Sequence, residues 1–184
     1  YRRFLTELSC YSNRIAHLDV SKNAQLTELS CQSNAMTSLD LQGNVKLEKL
    51  SCQKNSLETL DLSECVLLTE LDCHENHLAS INVNGNVRLE KLHCYDNVIS
   101  HIDLSSNAAL KVLYISRCEL KSLDLSGNME LEILSCQENH LAELELGKHE
   151  NLKGALGTGP FGIIGYVEYN SQTRNGLKDR KSVV

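Results

Sequence analysis

LTELSCQSNAMTSLDLQGNVK, residues 26–46, decides the fold, because the chain writes this phrase seven times. Within it, Leu26, Leu29, Cys31, Asn34, Met36, Leu39, Asp40, Leu41 and Asn44 mark the pattern. Its first leucine returns at Leu5, Leu26, Leu47, Leu68, Leu89, Leu110 and Leu131, always 21 residues apart, and once more at Leu152. Self-similarity at a fixed short period means that each unit stacks on a copy of itself, since one unit alone cannot bury its own apolar face. Counting from that leucine gives every residue a rung, one to seven, and a position, 1 to 21.

Each phrase divides into two similar halves. Positions 1, 4, 6 and 9 read Leu, Leu, Cys and Asn, while positions 11, 14, 16 and 19 repeat that spacing with Leu, Ile, Val or Met and Asn. Alternation places Leu at 4 and Cys at 6 inward, with 3, 5 and 7 outward, as a short strand requires. The same alternation at 14–16 predicts a second strand. Twenty-one residues leave no room for a helix of ordinary length on the return side. The expectation is a right-handed parallel β coil, with short strands on two faces joined by tight turns and little or no helix. Two asparagine ladders hold the turns, since an amide both donates to and accepts from backbone groups of its own and the next rung. The first is Asn13, Asn34, Asn55, Asn76, Asn97 and Asn139, with Cys118 in the remaining slot. The second is Asn23, Asn44, Asn86, Asn107 and Asn128, with Cys65 and His149 standing in.

This L-x-x-L-x-C-x-x-N nesting resembles the 21-residue class of bacterial leucine-rich repeat proteins sometimes called IRREKO, over residues 5 to about 156. The resemblance implies a leucine-rich repeat solenoid and says little about activity. Internalin-like adhesins are the nearest comparison, although no internalin cap or wall-anchoring motif is recognisable. A surface or secreted bacterial protein is what the resemblance implies, with the cytoplasm as the alternative.

The ends divide the chain further. Residues 1–4 form an N-terminal stub too short to cover the first rung, residues 5–151 the seven repeats, and residues 152–170 a degenerate repeat and C-terminal cap. In that last segment FGIIGYVEY (161–169) reads as a covering strand, and residues 171–184 as a flexible tail. The missing initiator Met suggests a processed or trimmed start. From Leu152 on, five basic side chains face two acidic ones, so the tail carries +3 and the body −9 within a total of −6. An acidic body offers no clustered Lys and Arg for phosphate backbones, so nucleic acid is not expected as a partner. No apolar run approaches the ~20 residues that insertion into a membrane takes.

Two rows of side chains invite metal chemistry and have simpler readings. Six of the eight cysteines occupy position 6, where Ile115 replaces one of them, so the slot is apolar and the thiols are buried and free. A line of thiols at the ~4.8 Å strand spacing neither converges as a zinc tetrahedron nor brings Cβ atoms within disulfide reach. Position 15 carries Asp19, Asp40, Asp61, Asp103 and Asp124, with Asn82 and Glu145 in register. Asn82 keeps an acceptor while dropping the charge, which favours turn capping over calcium. No metal and no cofactor is expected.

The outward face of the first strand carries the functional signal. Position 5 runs Ser9, Ser30, Ser51, Asp72, His93, Tyr114, Ser135, and position 7 runs Tyr11, Gln32, Gln53, His74, Tyr95, Ser116, Gln137. The outer rungs are Ser/Gln-like while the middle rungs diverge. All three aromatic residues of the repeat body, Tyr11, Tyr95 and Tyr114, fall on this face, and tyrosine suits binding surfaces because it offers apolar area with a polar tip. Asp72, His74, His93, Tyr95 and Tyr114, flanked by Lys91 and Arg117, form the expected ligand-binding face. A catalytic triad is not expected, since Ser51 and His93 lie two rungs apart and Asp72 beside His93 lacks a nucleophile. The sequence therefore points to a non-catalytic recognition module for a protein or glycan, acting as a monomer or as part of a longer chain. A spacer or scaffold within a larger polypeptide, and a substrate-recognition arm of an effector or enzyme, are the other readings.

Overall fold

The computed structural model describes residues 4–146, 148–156 and 166–168. Nine three-residue strands follow one another: β1 (Glu7–Ser9), β2 (Glu28–Ser30), β3 (Lys49–Ser51), β4 (Glu70–Asp72), β5 (Lys91–His93), β6 (Val112–Tyr114), β7 (Ile133–Ser135), β8 (Gly154–Leu156) and β9 (Tyr166–Glu168). They form one sheet in chain order. From β1 to β8 the pairing is parallel and each position meets its own copy, as Leu8 meets Leu29 and Leu29 meets Leu50. β9 returns antiparallel along β8, with Ala155 opposite Val167. The architecture is a parallel solenoid of 21-residue rungs with almost no helix. The expected tail, 171–184, lies outside the described residues.

Strands occupy positions 3–5, and backbone bonds continue beyond them on both sides. Glu48 N donates to Thr27 O at 2.8 Å, and Cys31 N donates to Ser51 O at 2.8 Å. The strand ends where position 8 enters the left-handed region. Ser12, Ser33, Lys54, Glu75, Asp96, Arg117 and Glu138 all have φ between 49° and 56°. That conformation costs non-glycine residues energy, and it persists because the flanking rungs fix it, as in the bond from Ser33 N to Gln53 O at 2.9 Å.

The second half of each rung departs from the sequence expectation. Among the described residues it forms one bridge, between Asp19 and Asp40, and single backbone bonds between successive rungs, such as Ser56 N to Met36 O at 2.8 Å, in place of a second ladder of strands. The position-15 side chains cap the turn that follows: Ser21 N donates to Asp19 Oδ1 at 3.0 Å, Ser63 N to Asp61 Oδ1 at 2.9 Å and Ser126 N to Asp124 Oδ1 at 2.8 Å. The Ser21 hydroxyl first and then Ser21 N hold the Asp19 carboxyl below the usual range, and the N–H bonds of Ser63 and Ser126 lead the same effect on Asp61 and Asp124, because they stabilise the ionised form.

The interior is dry and continuous. Leu29, Leu50, Leu71, Leu92, Leu113 and Leu134 are at most 1% exposed, and the position-6 residues from Cys31 to Cys136 line up beside them. All eight cysteines are free thiols, with Cys10 half-buried and the others buried. Burial pushes the Cys31 and Cys136 thiols up to about 12 and Cys65 to about 11, and it carries Cys52, Cys73 and Cys94 well above their ordinary value. A thiol so placed is a small hydrophobe, because the thiolate is the reactive species.

Each first-ladder asparagine ties two rungs. Asn76 Nδ2 donates to Cys73 O at 3.0 Å in its own rung and to Cys52 O at 3.2 Å in the rung before, while Asn76 Oδ1 accepts from Leu57 N at 3.0 Å. Cys118 keeps a weaker version through its thiol, 3.5 Å from Cys94 O. The second ladder uses only its donors: Asn107 Nδ2 donates to Asn86 O at 2.9 Å and Val83 O at 3.1 Å, both in the rung before, and His149 Nε2 reaches Leu125 O at 3.0 Å, while the Asn44, Asn107 and Asn128 oxygens have no hydrogen-bond partner among the described residues. Asn13 is the exception, since its amide reaches only Cys10 O and Tyr11 O in its own rung.

Two outcomes follow from this interior. Asn76→Ala orphans the buried Leu57 N–H and takes one of two amide donors from Cys52 O and Cys73 O, which keep Asn55 and Asn97, so it lowers the unfolding free energy by about 1–3 kcal/mol in chemical denaturation, whereas Asn13→Ala, at an exposed position, costs about 1 kcal/mol or less. A thiol reagent at neutral pH labels Cys10 of the native protein first and reaches the other seven cysteines only on unfolding; rapid labelling of Cys52 or Cys73 in the folded state would contradict this packing.

Candidate functional site

The middle rungs bring position 5 of β4, β5 and β6 to one surface with the position-7 residues that follow each strand. Strand geometry puts residues i and i+2 on the same face, so Asp72 and His74 meet directly. His74 Nδ1 lies 2.5 Å from Asp72 Oδ1. Asp72 Oδ2 lies 3.8 Å from His93 Nδ1 on the next rung. One carboxylate therefore serves two imidazoles. Burial disfavours the charged Asp72, yet the His74 hydrogen bond and the nearness of both imidazoles outweigh it and hold its carboxyl down at about 2.

Each histidine is capped by a tyrosine from the following rung. His74 and Tyr95 stack with ring centroids 4.2 Å apart and planes 10° from parallel, and His93 and Tyr114 stack at 4.6 Å and 13°. The rung spacing of ~4.8 Å is close to the ideal separation of stacked rings, which is why aromatic residues at one position in successive rungs lie face to face. Arg117 lies over Tyr95, its guanidinium carbon 5.6 Å from the ring centroid, and forks onto Asp96. Burial first, then the Asp72, Glu75 and Asp96 charges, push the Tyr95 hydroxyl above its ordinary range, with Arg117 opposing them.

Charged residues at the rim pair along the solenoid axis. Glu70 receives Lys91 at 3.1 Å and Lys49 at 3.9 Å, and Glu75 receives Lys54 at 3.5 Å. Lys91 thus stands beside the aromatic columns and holds a neighbouring carboxylate, while Arg117 reaches into them.

Two features differ from the sequence expectation. His74 does not stand outward: it is 8% exposed, packed between Asp72, Glu75 and Tyr95. The Asp72 carboxylate at its Nδ1 and the Tyr95 ring stacked on its face cover it, whereas Tyr11, at the same position of the first rung, is exposed. The principal partner of Asp72 is also His74 and not His93; the i, i+2 spacing was the signal, while both stacks and the Glu75 contact needed the register. Among the described hydrogen bonds, none joins His74 or His93 to a serine hydroxyl or a thiol. No group of three or more His, Cys, Asp or Glu among the described residues is arranged to hold a metal ion, and no described helix is long and apolar enough to cross a membrane.

No protein-family profile and no curated protein sequence matches the chain. Solved structures do. The functional domain of internalin J from Listeria monocytogenes, described as including a cysteine ladder, is 28% identical with a TM-score of 0.68, over 84% of this chain and 44% of that one. A leucine-rich repeat protein of Leptospira interrogans gives 20% identity and a TM-score of 0.77, over 81% and 42%. The chain therefore spans less than half the length of either bacterial protein. TLR13, in its complex with the RNA ssRNA13, gives 21% identity and a TM-score of 0.62, over 74% and 22%. The fold is thus that of leucine-rich repeat solenoids, whose domains are generally recognition modules without catalytic activity. The RNA complex also corrects the sequence reading: the fold itself does not exclude nucleic acid, and acidity remains the only argument against it.

The carboxylate at the centre sets an acid limit. Its folded pKa of about 2 lies below the ordinary 3.8, so Asp72 contributes stability that is fully present above about pH 4 and is lost as pH falls towards 2. Melting curves at pH 7 and pH 2.5 are expected to show a larger fall for the wild type than for Asp72→Asn; equal falls would show that Asp72 carries no such linkage.

Proposed function

We propose that this solenoid is a non-catalytic recognition module whose strand face binds a protein partner around Asp72, His74, His93, Tyr95 and Tyr114, with Lys91 and Arg117 at its rim. The observation that carries the reading is the pair of cross-rung stacks, His74 on Tyr95 and His93 on Tyr114, fastened to one carboxylate. Rings held in this way lose little conformational freedom on binding, which is the usual obstacle to affinity. Tyrosine and arginine are also the side chains that dominate protein interfaces. A protein is favoured over a glycan because Tyr95 has His74 stacked on it and Arg117 over it, so the ring presents its edge and hydroxyl more than a flat face. The bacterial neighbours support a protein of the bacterial surface or one that is secreted.

The test is selection of binding peptides from a displayed random library on the wild-type solenoid, followed by calorimetry on its variants. Replacing Tyr95 and Tyr114 together by alanine weakens the selected binders at least about tenfold, while Tyr11→Ala, at the exposed first rung, leaves them unchanged. Binders indifferent to the double replacement would end this reading; glycan-array binding lost in the same variant would transfer the site to a sugar.

A further inference from the structure

The hub beneath the aromatic columns has a property that recognition alone does not require. We propose that Asp72, His74 and His93 form one proton-binding unit that sets the charge of the strand face. This rests on the recognition reading for its purpose, and on geometry alone for its existence.

An ionised carboxylate only accepts hydrogen bonds, so at 2.5 Å from Asp72 Oδ1 the His74 Nδ1 must carry its proton. Proton uptake by His74 is thereby directed to Nε2. That atom faces Glu75 Oε1 at 3.5 Å, a carboxylate also held by Lys54 at 3.5 Å. His93 differs. Its Nδ1 stands 3.8 Å from Asp72 Oδ2, too long for a hydrogen bond and within reach of an ion pair once the ring is charged. Tyr95 and Tyr114 cover a face of each ring, Arg117 and Asp96 pair beyond Tyr95, and Lys49, Glu70 and Lys91 border the strands.

Sharing one carboxylate couples the two sites. The first proton gains the attraction of Asp72, and the second meets a hub that the first has already neutralised. Groups that interact in this way titrate as a pair and not as two independent residues. The effect at the surface is large for its size. With both imidazoles neutral, Lys49, Lys54, Lys91 and Arg117 balance Glu70, Asp72, Glu75 and Asp96. Two added protons turn a balanced face into one of charge +2 on an otherwise acidic body.

The experiment needs no partner. Imidazole resonances of the free protein are followed by NMR from pH 4.5 to 8.5 in the wild type, Asp72→Asn and His93→Gln, with His17, His101 and His140 as internal references. Long-range nitrogen–proton correlations are expected to place the neutral His74 proton on Nδ1. In the wild type the His74 curve is expected to be broadened or biphasic, reporting the charge on His93. His93→Gln should restore a single-site curve for His74, and Asp72→Asn should displace both hub histidines while the references stay fixed. Identical single-site curves for His74 in the wild type and His93→Gln would overturn the proposal, even if Asp72→Asn failed to fold. Loss of peptide binding in the tyrosine variants is read separately, so the recognition surface and its proton control stand or fall independently.

Discussion

Everything in this molecule depends on one repeated alignment: a backbone rung lying on its own copy at the spacing of parallel strands. Position meets like position from β1 to β8, and from β1 to β7 a leucine lands on a leucine, as Leu50 does on Leu71 and Leu71 on Leu92. The first-ladder amides lock that alignment because, from Asn34 on, each donates to two rungs while its oxygen accepts a backbone N–H of the rung before, as at Asn76. A slip of one residue would bring charged side chains into a dry interior and break both ladders at once. Stability in such a stack is the sum of identical interfaces, and no single rung owns it.

The same alignment gives the face its chemistry. A rung spacing close to the thickness of stacked rings converts aromatic residues at one position into columns. Carboxylates and ammonium groups alternating down the chain become axial ion pairs, as in Lys91 on Glu70 and Lys153 on Glu132. A surface ordered before any partner arrives differs from a loop that must be ordered on contact. Departures from the consensus therefore have effect where they gather, in β4 to β6, where Ser and Gln of the outer rungs give way to Asp, His and Tyr. The hydroxyl and amide rungs on either side keep the solenoid continuous without adding ring or charge at those positions.

Several positions show where reading the chain by itself reaches its limit. Position 8 holds Ser twice, Glu twice, Lys, Asp and Arg, of which only Asp favours a left-handed turn, yet all seven adopt it. The neighbouring rungs impose the conformation, and the local sequence only tolerates it. Position 15 shows the converse. Asp19 and its successors were legible as turn caps, and the capping bonds at Asp19, Asp61 and Asp124 are there. The leucine alternation around them also suggested a ladder of strands, and there the rungs are joined by one bridge and by single backbone bonds.

The sequence by itself determined the architecture. A 21-residue period, an apolar comb and two asparagine columns admit one solution, because only stacking satisfies burial and backbone pairing together. It also determined which residues share the strand face, since alternation along a strand fixes sides. The tertiary structure decided how those residues combine: that Asp72 holds His74 first and His93 second, that each imidazole lies beneath a tyrosine, and that His74 is buried instead of displayed. The physical reason is distance. Sides follow from the chain's own periodicity, but partners separated by 21 residues meet only through register, twist and the turn at position 8, and these belong to the stack and not to any single rung.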